Sequence, residues 1–240
     1  MENKIVIIPT LNERKNLESL IPGIFSFMTD VSILIVDDDS RDGTQESVRE
    51  LQSTYSNLHF LQRKNNFGYG RSTLDGFQWS IERGFGQIAT MDADFSHDYR
   101  SLPVLFMGLG EADVAIGSRY VRGGKLLNWS FYRRLLSRFA NAYATLILGL
   151  EIKDATSGFI AYRSFALKRL SFDILKSNGY AFLIELKYRL MKSGIIFVEV
   201  PITFVERREG QSKMSFKIIW ESIWLPWRLL LQTGRWNDIL

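Results

Sequence analysis

Asp92-Ala93-Asp94 places two carboxylates two residues apart, directly after the apolar run 87–91. Such a pair at a strand end can hold a hard divalent cation, Mg²⁺ or Mn²⁺, with diphosphate oxygens completing the shell. Transfer of a group from a nucleoside diphosphate calls for such an ion, because the departing diphosphate gains negative charge as its bond breaks. A second acidic run, Asp37-Asp38-Asp39, closes the apolar stretch 32–36, where a carboxylate suits hydrogen bonding to a nucleoside base or ribose. Pro9-Thr10-Leu11-Asn12-Glu13 stands beyond a first apolar run and would complete that pocket. Asn12, Glu13 and Asp42 also suit helix capping. Later in the chain come cations at element ends or in glycine-containing loops: Arg119, Arg133, Arg207 and, in Gly210-Gln211-Ser212-Lys213, Lys213. Arginine grips phosphate as a bidentate fork and lysine acts on it as a point charge.

The elements that must position these groups are legible in the apolar pattern. The β-branched run at 5–8 and the short stretches at 32–36, 58–62, 87–91 and 113–116 read as strands. Helical spacing connects several of them, over 12–27, from Asp42 or Thr44 to about 54, and over 72–83, with Pro22 expected to break or kink the first. This alternation predicts βαβ units and a mostly parallel sheet flanked by helices. Ligands of such sheets sit beyond the carboxyl ends of the strands, where both acidic runs fall. A long helix is expected over 129–148, an extended pair or bent strand over 195–204, and an amphipathic, tryptophan-rich segment over 215–231.

Charge divides the chain. Residues 1–118 carry 10 Lys/Arg against 17 Asp/Glu, and residues 119–240 carry 20 against 9. A basic second half fits a phosphorylated substrate, a membrane surface or nucleic acid. The acidic pairs of the first half would repel nucleic acid, so none is expected as a partner. No cysteine is present, which rules out disulfides and thiolate metal sites and suits a reducing compartment. The amino terminus does not read as a signal peptide. Glu221, Pro226 and Arg228 interrupt the most apolar stretch, so no transmembrane helix is expected.

Taken together, Pro9-Thr10-Leu11-Asn12-Glu13, Val36-Asp37-Asp38-Asp39-Ser40-Arg41-Asp42-Gly43-Thr44, Asn66-Phe67-Gly68-Tyr69-Gly70 and Asp92-Ala93-Asp94 resemble the nucleotide half of family 2 glycosyltransferases. Gly117-Ser118-Arg119-Tyr120, Ser137-Arg138-Phe139-Ala140-Asn141, Thr156-Ser157-Gly158-Phe159 and Arg207-Arg208-Glu209-Gly210-Gln211-Ser212-Lys213 resemble the dolichyl-phosphate mannose synthase branch of that family. The resemblance implies a GT-A, Rossmann-like fold over residues 1–217, with a nucleotide half 1–118 and an acceptor half 119–217. It implies inverting transfer of a sugar, mannose from GDP-mannose foremost, to a polyprenyl or dolichyl phosphate. By the same resemblance Pro9, Leu11, Glu13, Val36 and Asp38 fall at the nucleoside. Asp92, Ala93 and Asp94 fall at the diphosphate and the Mg²⁺ or Mn²⁺ ion, and Arg119, Arg133, Arg207 and Lys213 at donor or acceptor phosphates. Asp94, Arg119 and Arg133 are the expected catalytic residues. Ser96 stands where close relatives often place a glutamine metal ligand, and Ile160 where many have arginine.

A phosphate monoester acceptor needs no general base, since its second pKa is about 6 and it is mostly dianionic at pH 7. His97 is therefore expected to be structural, and His59 a packing or edge residue. The alternatives are a family member that uses a UDP-sugar or a hydroxyl acceptor, which would need a base, and a non-catalytic nucleotide- or nucleic-acid-binding module. Residues 218–240, apolar with interspersed cations, are expected to touch a membrane interface, giving a peripheral protein at a cytoplasmic face.

Overall fold

The computed structural model describes residues 2–177, 179–206 and 216–233. Its first half runs β1 (Lys4–Thr10), α1 (Arg14–Phe27), β2 (Val31–Asp37), α2 (Thr44–Gln52), β3 (Leu58–Gln62), α3 (Tyr69–Glu82) and β4 (Gln87–Thr90). The chain continues through α4 (Leu102–Gly108), β5 (Val114–Ser118), β6 (Lys125–Leu127), α5 (Phe131–Leu148), β7 (Ile160–Arg163) and α6 (Ser164–Lys168). Last come α7 (Gly179–Lys192), β8 (Phe197–Pro201), β9 (Thr203–Val205) and α8 (Phe216–Thr233). Seven strands form one sheet in the order β3-β2-β1-β4-β7-β5-β8, and β6 and β9 form a separate parallel pair. Every pairing in the large sheet is parallel except those of β7, which runs antiparallel between β4 and β5.

Helices cover both faces, which is why the strands read as unbroken apolar runs rather than alternating ones. On one face Ile5, Ile7, Leu34 and Val36 pack with Leu74 and Phe77 of α3 and with α7. On the other, Val6, Ile8, Ile33 and Ile35 pack with Leu17, Leu20, Ile21 and Ile24 of α1. The connection changes face where the chain, having moved from β1 outward to β3, returns to place β4 on the far side of β1. In sheets of this kind ligands bind at such a switch point, here the carboxyl ends of β1 and β4.

Three features depart from the sequence expectations. Pro22 does not end α1, because burial of Leu17, Leu20, Ile21 and Ile24 along its length outweighs one missing backbone hydrogen bond. α7 carries no amphipathic signal because it is buried nearly all round, at Ala181, Phe182, Leu183, Ile184, Leu186, Tyr188 and Leu190. The boundary drawn between 217 and 218 falls inside α8 (Phe216–Thr233), and Leu225 and Leu229 of that helix join the core of the sheet domain.

Gly76 marks the closest approach of α3 to the sheet: a Cβ there would lie 2.7 Å from Ile7 Cγ2 and 3.3 Å from Val36 Cγ2. Gly76→Ala should overpack this contact and cost about 1–3 kcal/mol of stability. A lower urea midpoint with an unchanged slope would register the cost, and an unchanged midpoint would show that α3 can lift from the sheet freely.

Candidate active site

β2, β1 and β4 lie side by side, so the loops at their carboxyl ends share one rim. The Asp38 N–H donates to the Thr10 carbonyl at 3.0 Å and ties the turn after β2 to the end of β1. Asp37 is fully buried and builds that turn. Its Oδ1 accepts from Ser40 Oγ at 2.5 Å and Thr10 Oγ1 at 3.1 Å, and its Oδ2 accepts from the Ser40 N–H at 2.9 Å. Asp42 links the starts of two helices, accepting from the backbone N–H groups of Arg14 at 3.1 Å and Thr44 at 3.0 Å.

Asp38, also buried, clamps the neighbouring turn. One carboxylate oxygen accepts from the Arg63 guanidinium and from Ser72 Oγ at 2.8 Å, and the other accepts from the Gly68 N–H at 2.7 Å. Arg63 continues to Asp75 at 2.6 Å and to the Asn66 carbonyl at 2.7 Å. The grip has a conformational cause: Asn66 has φ +54° and Gly68 φ +133° with ψ 148°, a region open essentially to glycine alone. Asp38 thus holds the Asn66-Phe67-Gly68 turn in place beside the rim. Leu11 is exposed, and Pro9 and Glu13 are half-buried on the same rim. Val36 is different, for strand alternation points its side chain under α3 and leaves only its backbone near the pocket.

At the end of β4, Ala93 is buried in the core, while Asp92 is partly exposed and Asp94 lies at the edge of burial. Asp94 Oδ1 accepts from the Ser96 N–H at 3.0 Å and from Ser96 Oγ at 2.6 Å. These bonds close a tight turn that holds Phe95 at φ +60°, strained for a bulky residue. Ser96 orients a carboxylate here. His97 Nδ1 accepts from the Asp92 N–H at 3.2 Å, its ring stacks on Phe159 at 5.0 Å, and burial pushes its pKa down. A neutral, buried His97 anchors the acidic turn to the core, as expected of a structural residue.

The two carboxylates of Asp92 and Asp94 offer the hard oxygens that Mg²⁺ or Mn²⁺ takes. Among the described residues no group of three or more His, Cys, Asp or Glu is gathered to hold an ion. Two carboxylates alone do not fill the coordination shell of such an ion.

Arg119 follows β5 and is buried, forming a two-pronged pair with Asp154 at 2.8 and 2.6 Å. It also donates to Thr156 Oγ1 at 2.7 Å and sits over the Phe204 ring at 5.2 Å. Asp154 additionally accepts from the Arg119 backbone N–H at 2.9 Å. Arg133, in the first turn of α5, pairs with Glu206 and lies 4.1 Å over the Trp129 ring. The rim on this side is stitched to β4, where Thr90 Oγ1 donates to the Gly158 carbonyl at 2.7 Å, and to β5, where Ser157 Oγ donates to the Gly117 carbonyl at 2.6 Å. Arg207 and Lys213 lie outside the described residues. Sequence reasoning missed Arg63 and Asp154, since a charged residue at a loop position carries no signal of burial. The place of Arg63 directly after β3 is the one hint available.

Arg63→Met should leave the Asp38 carboxylate buried without its cation, at a cost of about 3–5 kcal/mol. Urea denaturation measures this. Stability within about 0.5 kcal/mol of the parent, the usual span of a surface substitution, would show that the clamp carries no load.

Residues 5–171 match the family model described as Glycosyl transferase family 2. The chain is 38% identical over 219 residues to the undecaprenyl-phosphate mannosyltransferase of Micrococcus luteus, a match covering 91% of this chain and 90% of the relative. It is 42% identical over 224 residues to the polyprenol monophosphomannose synthase of Mycolicibacterium smegmatis, covering 92% and 84%. Against the dolichol-phosphate mannosyltransferase of Pyrococcus furiosus it is 37% identical over 240 residues, covering 98% of this chain and 66% of that protein. Among solved structures it resembles glucosyl-3-phosphoglycerate synthase from Mycobacterium tuberculosis in complex with Mn²⁺, uridine diphosphate and glucosyl-3-phosphoglycerate. There the TM-score is 0.66 at 18% identity, covering 97% and 80% of the two chains, a likeness of fold alone. With its acidic pair at the rim of a GT-A sheet, the chain belongs to glycosyltransferase family 2.

Proposed function

We propose that this enzyme transfers mannose from GDP-mannose to a polyprenyl phosphate. The observation that carries the reading is identity of 38 and 42%, across nine tenths of the chain, to relatives named for joining mannose to a polyprenyl phosphate; the GDP donor is part of the proposal. The geometry supports it. Asp92 and Asp94 would hold Mg²⁺ or Mn²⁺, which when bound neutralises the departing diphosphate. The rim around Pro9, Leu11, Glu13 and the Asp38 clamp would receive the nucleoside. Arg119 and Arg133, with Arg207 and Lys213, would screen the acceptor phosphate from the donor diphosphate, so that two anions can approach. No side chain need remove a proton from a dianionic phosphate.

A lipid acceptor also needs the enzyme at a bilayer. Among the described residues no helix is long and apolar enough to cross one. α5 nevertheless exposes Phe131, Tyr132, Leu135 and Phe139, and α8 exposes Trp224, Trp227 and Leu231. The two helices are joined where the Tyr143 hydroxyl donates to the Ile223 carbonyl at 2.8 Å and accepts from the Trp227 indole at 2.9 Å. Exposed Arg134, Arg138 and Arg228 flank these rings. Aromatic and aliphatic groups beside cations suit the headgroup layer of an anionic bilayer. The contact thus falls on α5 as much as on the carboxyl-terminal segment.

A panel of labelled GDP- and UDP-sugars with a short polyprenyl phosphate tests the donor: label should enter the lipid phase from GDP-mannose. Label from a UDP-sugar instead would move the reading to the UDP alternative. Asp94→Asn should lower transfer by at least a hundredfold with unchanged thermal stability, and near-normal transfer at saturating Mn²⁺ would remove the metal assignment. Phe131→Ser/Phe139→Ser should release the protein from anionic vesicles. Equal sedimentation of parent and variant with the vesicles would refute the α5 contact.

A further inference from the structure

Lys187 sits on α7 with no solvent exposure and has no place in the donor or acceptor pockets. Its Nζ donates to the carbonyls of Ala155 at 2.9 Å and Ser157 at 2.8 Å. Those carbonyls belong to the segment that also supplies Asp154 to Arg119, Thr156 to the same guanidinium, and Gly158 to Thr90 at the end of β4. Glu199 of β8 holds the segment from its other end, accepting from the N–H groups of Lys153 at 2.8 Å and Asp154 at 3.0 Å. A buried amine that spans two carbonyls of an irregular loop is costly to keep, and leucine or methionine would fill the same volume at no desolvation cost. The position therefore calls for what only a donor supplies.

We infer that Lys187 is a positioning residue for transfer, pinning residues 154–158 so that Arg119 is aimed at the acceptor phosphate in fixed register with the Asp92–Asp94 turn. The inference rests on the transferase reading above. It adds a residue that touches neither substrate yet sets the rate. The groups that face the amine are Asp154, Arg119 and Glu199. Burial lowers its pKa to about 7, opposed by Asp154 and Glu199 and reinforced by Arg119. A charged donor bonds carbonyls more strongly than a neutral one. The pin is thus firmest below that pH and loosens as pH rises through it.

The test compares the parent, Lys187→Met and Lys187→Gln in full-length protein, with GDP-mannose, Mn²⁺ and polyprenyl phosphate. Met removes both donors, whereas Gln keeps a neutral amide that can reach the carbonyls. Expected are a kcat at least tenfold lower for Met with GDP affinity within about threefold of the parent, and recovery to within about threefold in Gln. The parent's kcat should decline as pH rises through about 7, and this limb should be missing in Gln. A Met variant with parental kcat, or one in which GDP affinity falls as far as kcat, overturns the inference. Should Met fail to fold, the Gln profile decides: a missing alkaline limb supports the role and a retained one overturns it. No transfer by the parent would instead indict the transferase reading.

Discussion

The guanidinium of Arg119 and the carboxylate of Asp154 meet out of reach of bulk water, and the rim beyond β5 is arranged around them. Removing one partner of such a pair costs about 3–5 kcal/mol, because a charge is left buried and alone. The pair is bidentate and reinforced by the Arg119 backbone N–H and by Thr156, so most of the lone pairs and protons involved are satisfied. It joins the end of β5 to the loop before β7, two places brought together only by the folded sheet. A single antiparallel strand, β7, makes this possible. It enters between β4 and β5 and carries residues 154–159 past the carboxyl ends of both.

The rim beyond β1 and β2 is built on the same plan with different parts. Asp38 and Arg63 are also a buried pair, and they too restrain a turn that would not hold its shape unaided, here through Asn66 and Gly68. Between the two pairs lies the Asp92–Asp94 turn, with Phe95 in the left-handed region and His97 stacked on Phe159. Backbone strain is tolerated there because the two neighbours of Phe95, Asp94 and Ser96, are bonded to each other across it, and Asp92 is tied to His97. Rigid placement of charge matters when two phosphate-bearing reactants must approach, since most of the barrier is then positioning and electrostatics.

Much of this was legible in the chain. Runs such as Ile5-Val6-Ile7-Ile8 could only be strands buried on both faces, and acidic residues directly after them had to fall on the ligand-binding rim. The hidden parts share a physical cause. Lys187, Asp154 and Arg63 are charged residues inside the protein, and a sequence pattern reads such residues as surface. α7 was missed because a helix buried on every side has no polar face to give a period, and β7 because four residues carry too little pattern. Val36 was expected at the nucleoside, and its side chain lies in the core because alternation along β2 leaves no other choice.

The central claim is that the acceptor is a phosphate that attacks the sugar carbon without a general base, its charge screened by the buried Arg119 and the half-exposed Arg133. Comparing a polyprenyl phosphate with the polyprenol of the same length, under labelled GDP-mannose and Mn²⁺, tests it most directly. The account predicts label in the lipid phase with the phosphate and none above background with the alcohol. Equal labelling of the alcohol would contradict it, because a hydroxyl acceptor requires a general base.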